Sequence, residues 1–163
     1  MDGITLRRAT PADASLITEM RIRSNRERHT TEVDVAAFRP ICEQRFEGGL
    51  ASGELCAWVA FDDARAIATA TLMIVPNLPR LGVIAGPDAR VRNVYVDPAY
   101  RGRGIAAAMM REIIDEAKRL GVDRLTLGAS DMGRRVYEKL GFVQKEDELI
   151  YESVSDSQRS SSL

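Results

Sequence analysis

Two arginines alternate with two glycines in Arg101-Gly102-Arg103-Gly104, and these are the residues of the chain best suited to hold a phosphate. They follow an apolar run, Val94-Tyr95-Val96, and precede a stretch from 106 to 120 whose apolar residues recur at three and four, the spacing of a helix. The first amides of such a helix have no intrahelical acceptor, and its dipole favours negative charge. Glycines at 102 and 104 remove side chains that would keep a ligand off the backbone, while Arg101 and Arg103 add cations. The expected guest is a nucleotide pyrophosphate. A second reactive group is the phenol of Tyr137, set in Gly133-Arg134-Arg135-Val136-Tyr137-Glu138-Lys139-Leu140-Gly141-Phe142.

Two nucleotide patterns fit the glycine turn. Gly102, Gly104 and Ala107 satisfy the dinucleotide form G-x-G-x-x-A. Against it, Asp97-Pro98-Ala99-Tyr100-Arg101 separates strand from glycine, and Gly128-Ala129-Ser130 stands where a ribose-binding carboxylate should follow the next strand. The other pattern, Arg101-x-x-Gly104-x-Ala106, resembles the acyl-CoA signature of the GNAT superfamily of N-acetyltransferases. The block ending Tyr137-x-x-x-Gly141-Phe142 resembles that superfamily's second motif. The resemblance spans residues 4 to 152. It implies a single-domain α/β (α+β) fold over 1–152, with a mostly antiparallel mixed sheet of six to seven strands flanked by about four helices.

The resemblance also implies roles. Acetyl-CoA is the co-substrate and no metal is expected. The amides from Arg101 through Gly102, Arg103, Gly104 and Ile105 to Ala106 hold the pyrophosphate, and the main chain of Val94, Tyr95 and Val96 pairs with the pantetheine arm. Val94 or a neighbour supplies the oxyanion donor. Tyr137 protonates the departing thiolate: a phenol near pKa ~10 gives its proton to a thiol near ~8.5 only through proximity. Ser130 occupies the position of a common asparagine and would contact coenzyme or cap the next helix. Arg134 and Arg135 are candidates for the coenzyme phosphates. Glycine at 133 replaces a usual alanine. The general base is open among His29, Glu27, Glu32 and ordered water, and Asn93 and Tyr95 are further lining residues.

These groups need a scaffold, and the pattern supplies one. Ile4-Thr5-Leu6-Arg7 reads as an edge strand, and Thr10-Pro11-Ala12-Asp13 as the start of a helix over 11–25. A second helix over 32–48 contains Pro40, which should kink or divide it, and Gly48-Gly49 should end it. Residues 55–61 and 66–75 form a hairpin. Residues 76–88 are a loop that lines the substrate or merely connects. Then follow strand 90–97, helix 103–120, strand 123–127, helix 131–140, and short strands at 142–144 and 149–152. The serine-rich tail, 153–163, is expected to be disordered.

Composition narrows the partners. With 23 basic and 24 acidic residues among 163, the chain has no global field to gather nucleic acid or an anionic membrane. Cys42 and Cys56 are expected to be reduced, buried thiols, because their spacing suggests neither zinc nor a disulfide framework. No leader-like or membrane-length apolar run is evident, so a cytoplasmic protein is expected. The slight acidity and single-domain length favour a small-molecule amine as acceptor over a protein amino group. A non-catalytic acyl-CoA-binding regulatory module is the alternative of a different class. Dimerisation is left open, since no exposed apolar stripe establishes it.

Overall fold

The β-branched and apolar residues of 55–75 form a hairpin, β2 (Leu55–Asp62) and β3 (Arg65–Val75), turned at Asp63 with φ +50°. In this computed structural model, which describes residues 3–28, 34–78 and 86–145, that hairpin is the centre of one sheet. β1 (Ile4–Arg8) pairs antiparallel with β2, and β4 (Asp88–Val96) antiparallel with β3. β5 (Arg124–Leu127) joins β4 in parallel, giving the order β1-β2-β3-β4-β5. The sheet is thus mixed and mostly antiparallel, but it has five strands among the described residues, not six to seven. Residues 142–144 lie in irregular backbone, tied back to the preceding helix by Phe142 N to Tyr137 O and by Arg134 to the Gln144 side chain; 149–152 and the tail fall outside the described residues.

Four helices cover the two faces. β2 is buried on both sides: Cys56, Trp58 and Ala60 face one core, Leu55, Ala57 and Val59 the other. The first core is closed by α3 (Ile105–Arg119), whose Ile105, Met109, Met110, Ile113 and Ala117 make an apolar stripe. The second is closed by α1 (Ala14–Arg28) and α2 (Val35–Ser52), through Ile17, Met20, Cys42 and Phe46. The short α4 (Asp131–Lys139) adds Tyr137 to the α3 side. Cys42 and Cys56 are free and buried.

The second helix departs from expectation. It begins after Asp34, whose carboxylate accepts from Ala37 N at 3.1 Å, and runs unbroken through Pro40. Proline in the second turn forfeits one backbone bond, and packing against α1 and β2 holds the helix together. Gly48 and Gly49 do not end it. Gly49 is buried where a Cβ would lie 2.6 Å from the Leu55 side chain, so it serves close approach, and the helix stops at Gly53 with φ +79°.

Candidate active site

The parallel pairing of β4 and β5 runs from Asp88 beside Arg124 to Val91 beside Leu127, and no further. β4 continues to Val96, whereas the chain leaves β5 through Gly128, Ala129 and Ser130 into α4. The second half of β4 therefore presents an edge with no strand beside it among the described residues, to which an extended ligand can hydrogen-bond.

Within that half lies a bulge. Arg92 pairs with Thr71 and Tyr95 with Thr69, so Asn93 and Val94 together oppose Ala70. Asn93 takes φ +54°, a left-handed conformation that asparagine tolerates better than most residues. The extra residue reverses the alternation. Ala89 and Val91 face the α3 core before it, and Val94 and Val96 face that core after it, while Tyr95 turns toward α1 and α2. Val94, outside the β3 register, is where the expected oxyanion donor would have to lie.

Asp97 ends the strand. Its carboxylate accepts from Ala99 N at 3.1 Å and from Arg65 at 2.7 Å, which fixes the single 3-10 turn Pro98–Tyr100. Gly102 and Gly104 then take φ +77° and +80°, and a Cβ on either would meet nothing within 4 Å. The glycines are required by backbone conformation, and the space beyond them is open. Gly104 is the N-cap of α3, and its carbonyl accepts from Ala108 N at 3.0 Å. The amides of Ile105, Ala106 and Ala107 precede that first bond and lack an acceptor within the helix.

The arginines of the turn fold back on it. Arg101 donates from Nε to Val96 O at 3.0 Å and pairs with Glu27 of α1. Arg103 donates to Ala99 O at 3.2 Å and covers the Tyr100 ring at 5.0 Å. Burial chiefly, and then the Glu27 charge, raise the phenol of Tyr95 above the ordinary value. Glu27 thus joins α1 to the phosphate turn. His29 and Glu32 fall outside the described residues.

Tyr137 is 9% exposed, packs in the α3 core, and meets Phe142 edge to face at 6.2 Å. Burial pushes its phenol upward, and the Arg28 cation at the end of α1 opposes that shift. Gly133 now has a reason: a Cβ there would come within 2.9 Å of the Tyr137 ring. Ser130 is the N-cap of α4, accepting from Gly133 N at 3.3 Å. Arg134 donates to Gln144 at 2.7 Å, and Arg135 is exposed. A hollow of about 540 Å³ runs along β5, lined by Leu125, Leu127, Tyr137 and Phe142, but it contains none of the open amides of the glycine turn.

The glycine turn thus follows directly on the free end of β4, and Tyr137 packs in the same α3-side core as Val94 and Val96, while among the described residues no hydrogen bond or ion pair joins Ser130, Arg134 or Arg135 to the turn. Arg28 beside Tyr137 was missed, because on sequence it is one of several arginines crowding the end of α1. The β4 bulge was also missed, and Asn93 was its only local sign.

This arrangement places the chain in a recognised class. Residues 17–142 match the acetyltransferase (GNAT) family, and the chain belongs to that family. Glucosamine 6-phosphate N-acetyltransferase of Trypanosoma brucei brucei is 30% identical over 102 residues, 63% of this chain and 65% of that protein. A probable glucosamine 6-phosphate N-acetyltransferase 2 of Oryza sativa is 34% identical over 53% of this chain and 50% of that protein. The matches thus span about half to two thirds of these curated relatives. A crystal structure described as a predicted acetyltransferase with acetyl-CoA, from Clostridium acetobutylicum, superposes with a TM-score of 0.82 at 29% identity, covering 91% of this chain and 96% of the other.

Proposed function

We propose that the chain transfers an acetyl group from acetyl-CoA to a primary amine of a small molecule, by direct attack in a ternary complex. The observation that carries this reading is the free edge of β4 beyond Val91, leading to the open amides at the start of α3. Those amides would take the pyrophosphate, with Arg101 and Arg103 released from their folded-back contacts to assist. The pantetheine arm would lie along Val94, Tyr95 and Val96. The amine nitrogen attacks the thioester carbonyl, and the Val94 amide stabilises the oxyanion. Collapse of the tetrahedral intermediate breaks the carbon–sulfur bond, and Tyr137 gives its proton to the thiolate.

What supports Tyr137 is its place in the same α3-side core as Val94, with the Arg28 charge opposing the rise that burial imposes on its phenol. What supports Glu27 as recipient of the amine proton is its ion pair with Arg101 of the glycine turn and the reach of its charge to Tyr95 on β4. The small-molecule acceptor is supported by relatives named for glucosamine 6-phosphate, and a cytoplasmic setting belongs to the same proposal. Thiol release from acetyl-CoA with a panel of amines, together with the mass of the product, tests the reading. A product heavier by one acetyl group supports it; coenzyme binding without release with any amine would favour the non-catalytic module.

A further inference from the structure

Six buried side-chain polar atoms lack a hydrogen-bond partner among the described residues, and all lie on α1, β3 and β4: Thr18 Oγ1, Thr69 Oγ1, Thr71 Oγ1, Arg90 Nε and both carboxamide atoms of Asn93. Buried polar groups are ordinarily satisfied, so such a concentration calls for an explanation. Three arginines lie near these atoms, and none of them pairs with a carboxylate among the described residues. Arg90 and Arg92 alternate with Ala89 and Val91, which face α3, so both arginines lie on the α1 side of β4, opposite Met73 and Thr71. Arg21 of α1 is close enough that its charge and that of Arg90 disfavour protonation of Arg92, adding to the larger effect of burial. Elsewhere the buried carboxylates are each met by arginine, Asp13 by Arg7, Glu116 by Arg8 and Arg119, and Asp97 by Arg65, whereas no described carboxylate is set against Arg90 and the more exposed Arg92.

We propose that the acceptor amine carries an oxyanion, a phosphate monoester or a carboxylate, held between α1 and β4 by Arg21, Arg90 and Arg92. The proposal rests on the reading that transfer occurs beside Val94. At ~3.3 Å per strand residue, Arg92 and Arg90 stand roughly 7 and 13 Å along β4 from Val94, so one small molecule reaches from the cations to the thioester. Guanidinium groups bind either oxyanion through charge-assisted, often bidentate hydrogen bonds. Asn93, nine-tenths buried and without a side-chain partner among the described residues, stands at the bulge between Arg92 and Val94. The bound anion would offset part of the charge that Arg90 and Arg21 impose on Arg92.

The test uses the full chain, its Arg92→Gln variant, and the Arg90→Gln/Arg92→Gln double variant. With coenzyme A saturating, so that the glycine turn is filled, inorganic phosphate and acetate should each be tried as reaction-free probes. At least one should raise the melting temperature of the parent and fail to do so for the double variant. Equal shifts, or none in the parent, would overturn the proposal. Without anion, the variants should melt no lower than the parent, since a like-charge contact has been removed. In thiol release, glucosamine 6-phosphate against glucosamine, and glycine against glycinamide, separate the two oxyanion sources. The charged member of one pair should be preferred in kcat/KM about tenfold or more, the size of one charge-assisted hydrogen bond, and Arg92→Gln should erase that preference through KM. Preference for the neutral member in both pairs would also overturn it. Failure of coenzyme A itself to raise the melting temperature would instead count against the acetyltransferase reading, while the anion shift is read independently.

Discussion

At the scale of single residues, Tyr137 carries the most chemistry for its size. Its ring is fixed by Phe142 and by the room that Gly133 leaves, so removing its hydroxyl should not disturb the fold. Tyr137→Phe is expected to lower kcat by ~100-fold or more, the low end of general acid catalysis, with the KM for acetyl-CoA little changed. Steady-state thiol release checks this; an unaltered kcat would mean that the phenol is only a core aromatic. Glu27 makes a second prediction. If its carboxylate takes the amine proton, Glu27→Gln should lower kcat with the KM for acetyl-CoA little changed, whereas a purely structural tie to Arg101 would act chiefly on the KM for acetyl-CoA; steady-state thiol release separates the two.

At the scale of elements, the glycine turn and the Tyr137 block were legible because both depend on local patterns: glycines where φ is positive, and an apolar stripe over 105–117. The β4 bulge was not, because a bulge is set by the register with β3, which one strand's sequence does not encode. The same holds for Arg21, Arg90 and Arg92, which are brought together only when α1 crosses β4. Pro40 misled in the opposite direction, since tertiary packing overrode a local helix breaker. Close packing of elements gives its own prediction at Gly86, just before β4, where a Cβ would stand 1.7 Å from Gly121 O after α3. Because the neighbour is backbone, Gly86→Ala is expected to cost about 3 kcal/mol or more, read as a lower denaturant midpoint. A variant as stable as the parent would show that this junction yields.

At the scale of the whole molecule, the α3 face is tied to the outer strand through Glu116. Its buried carboxylate accepts from Arg119 at 2.6 and 2.8 Å and pairs with Arg8 at 2.9 Å, with Cys56 Sγ nearby at 3.7 Å. The Arg119 hydrogen bonds chiefly, and Arg8, lower its pKa from 4.5 to about 2 despite burial. The stability it contributes is therefore full above about pH 4.5 and lost as pH falls toward about 2. Glu116→Gln should flatten that part of the acid-unfolding curve; an unchanged slope would remove Glu116 from the account. The central claim is that the end of β4 and the start of α3 form an acyl-CoA site, and thermal unfolding with acetyl-CoA tests it most directly, with NAD as control and Gly104→Glu as the variant. Ligand at 100 times its Kd adds about 2.7 kcal/mol. The parent should melt roughly 5–11 °C higher with acetyl-CoA and be indifferent to NAD. Gly104→Glu should fold at a cost of about 1–2 kcal/mol for its left-handed backbone, seen as a lower melting temperature without ligand, and should lose the shift, because a carboxylate faces the pyrophosphate. An equal shift in parent and variant, or none in the parent, would contradict the claim.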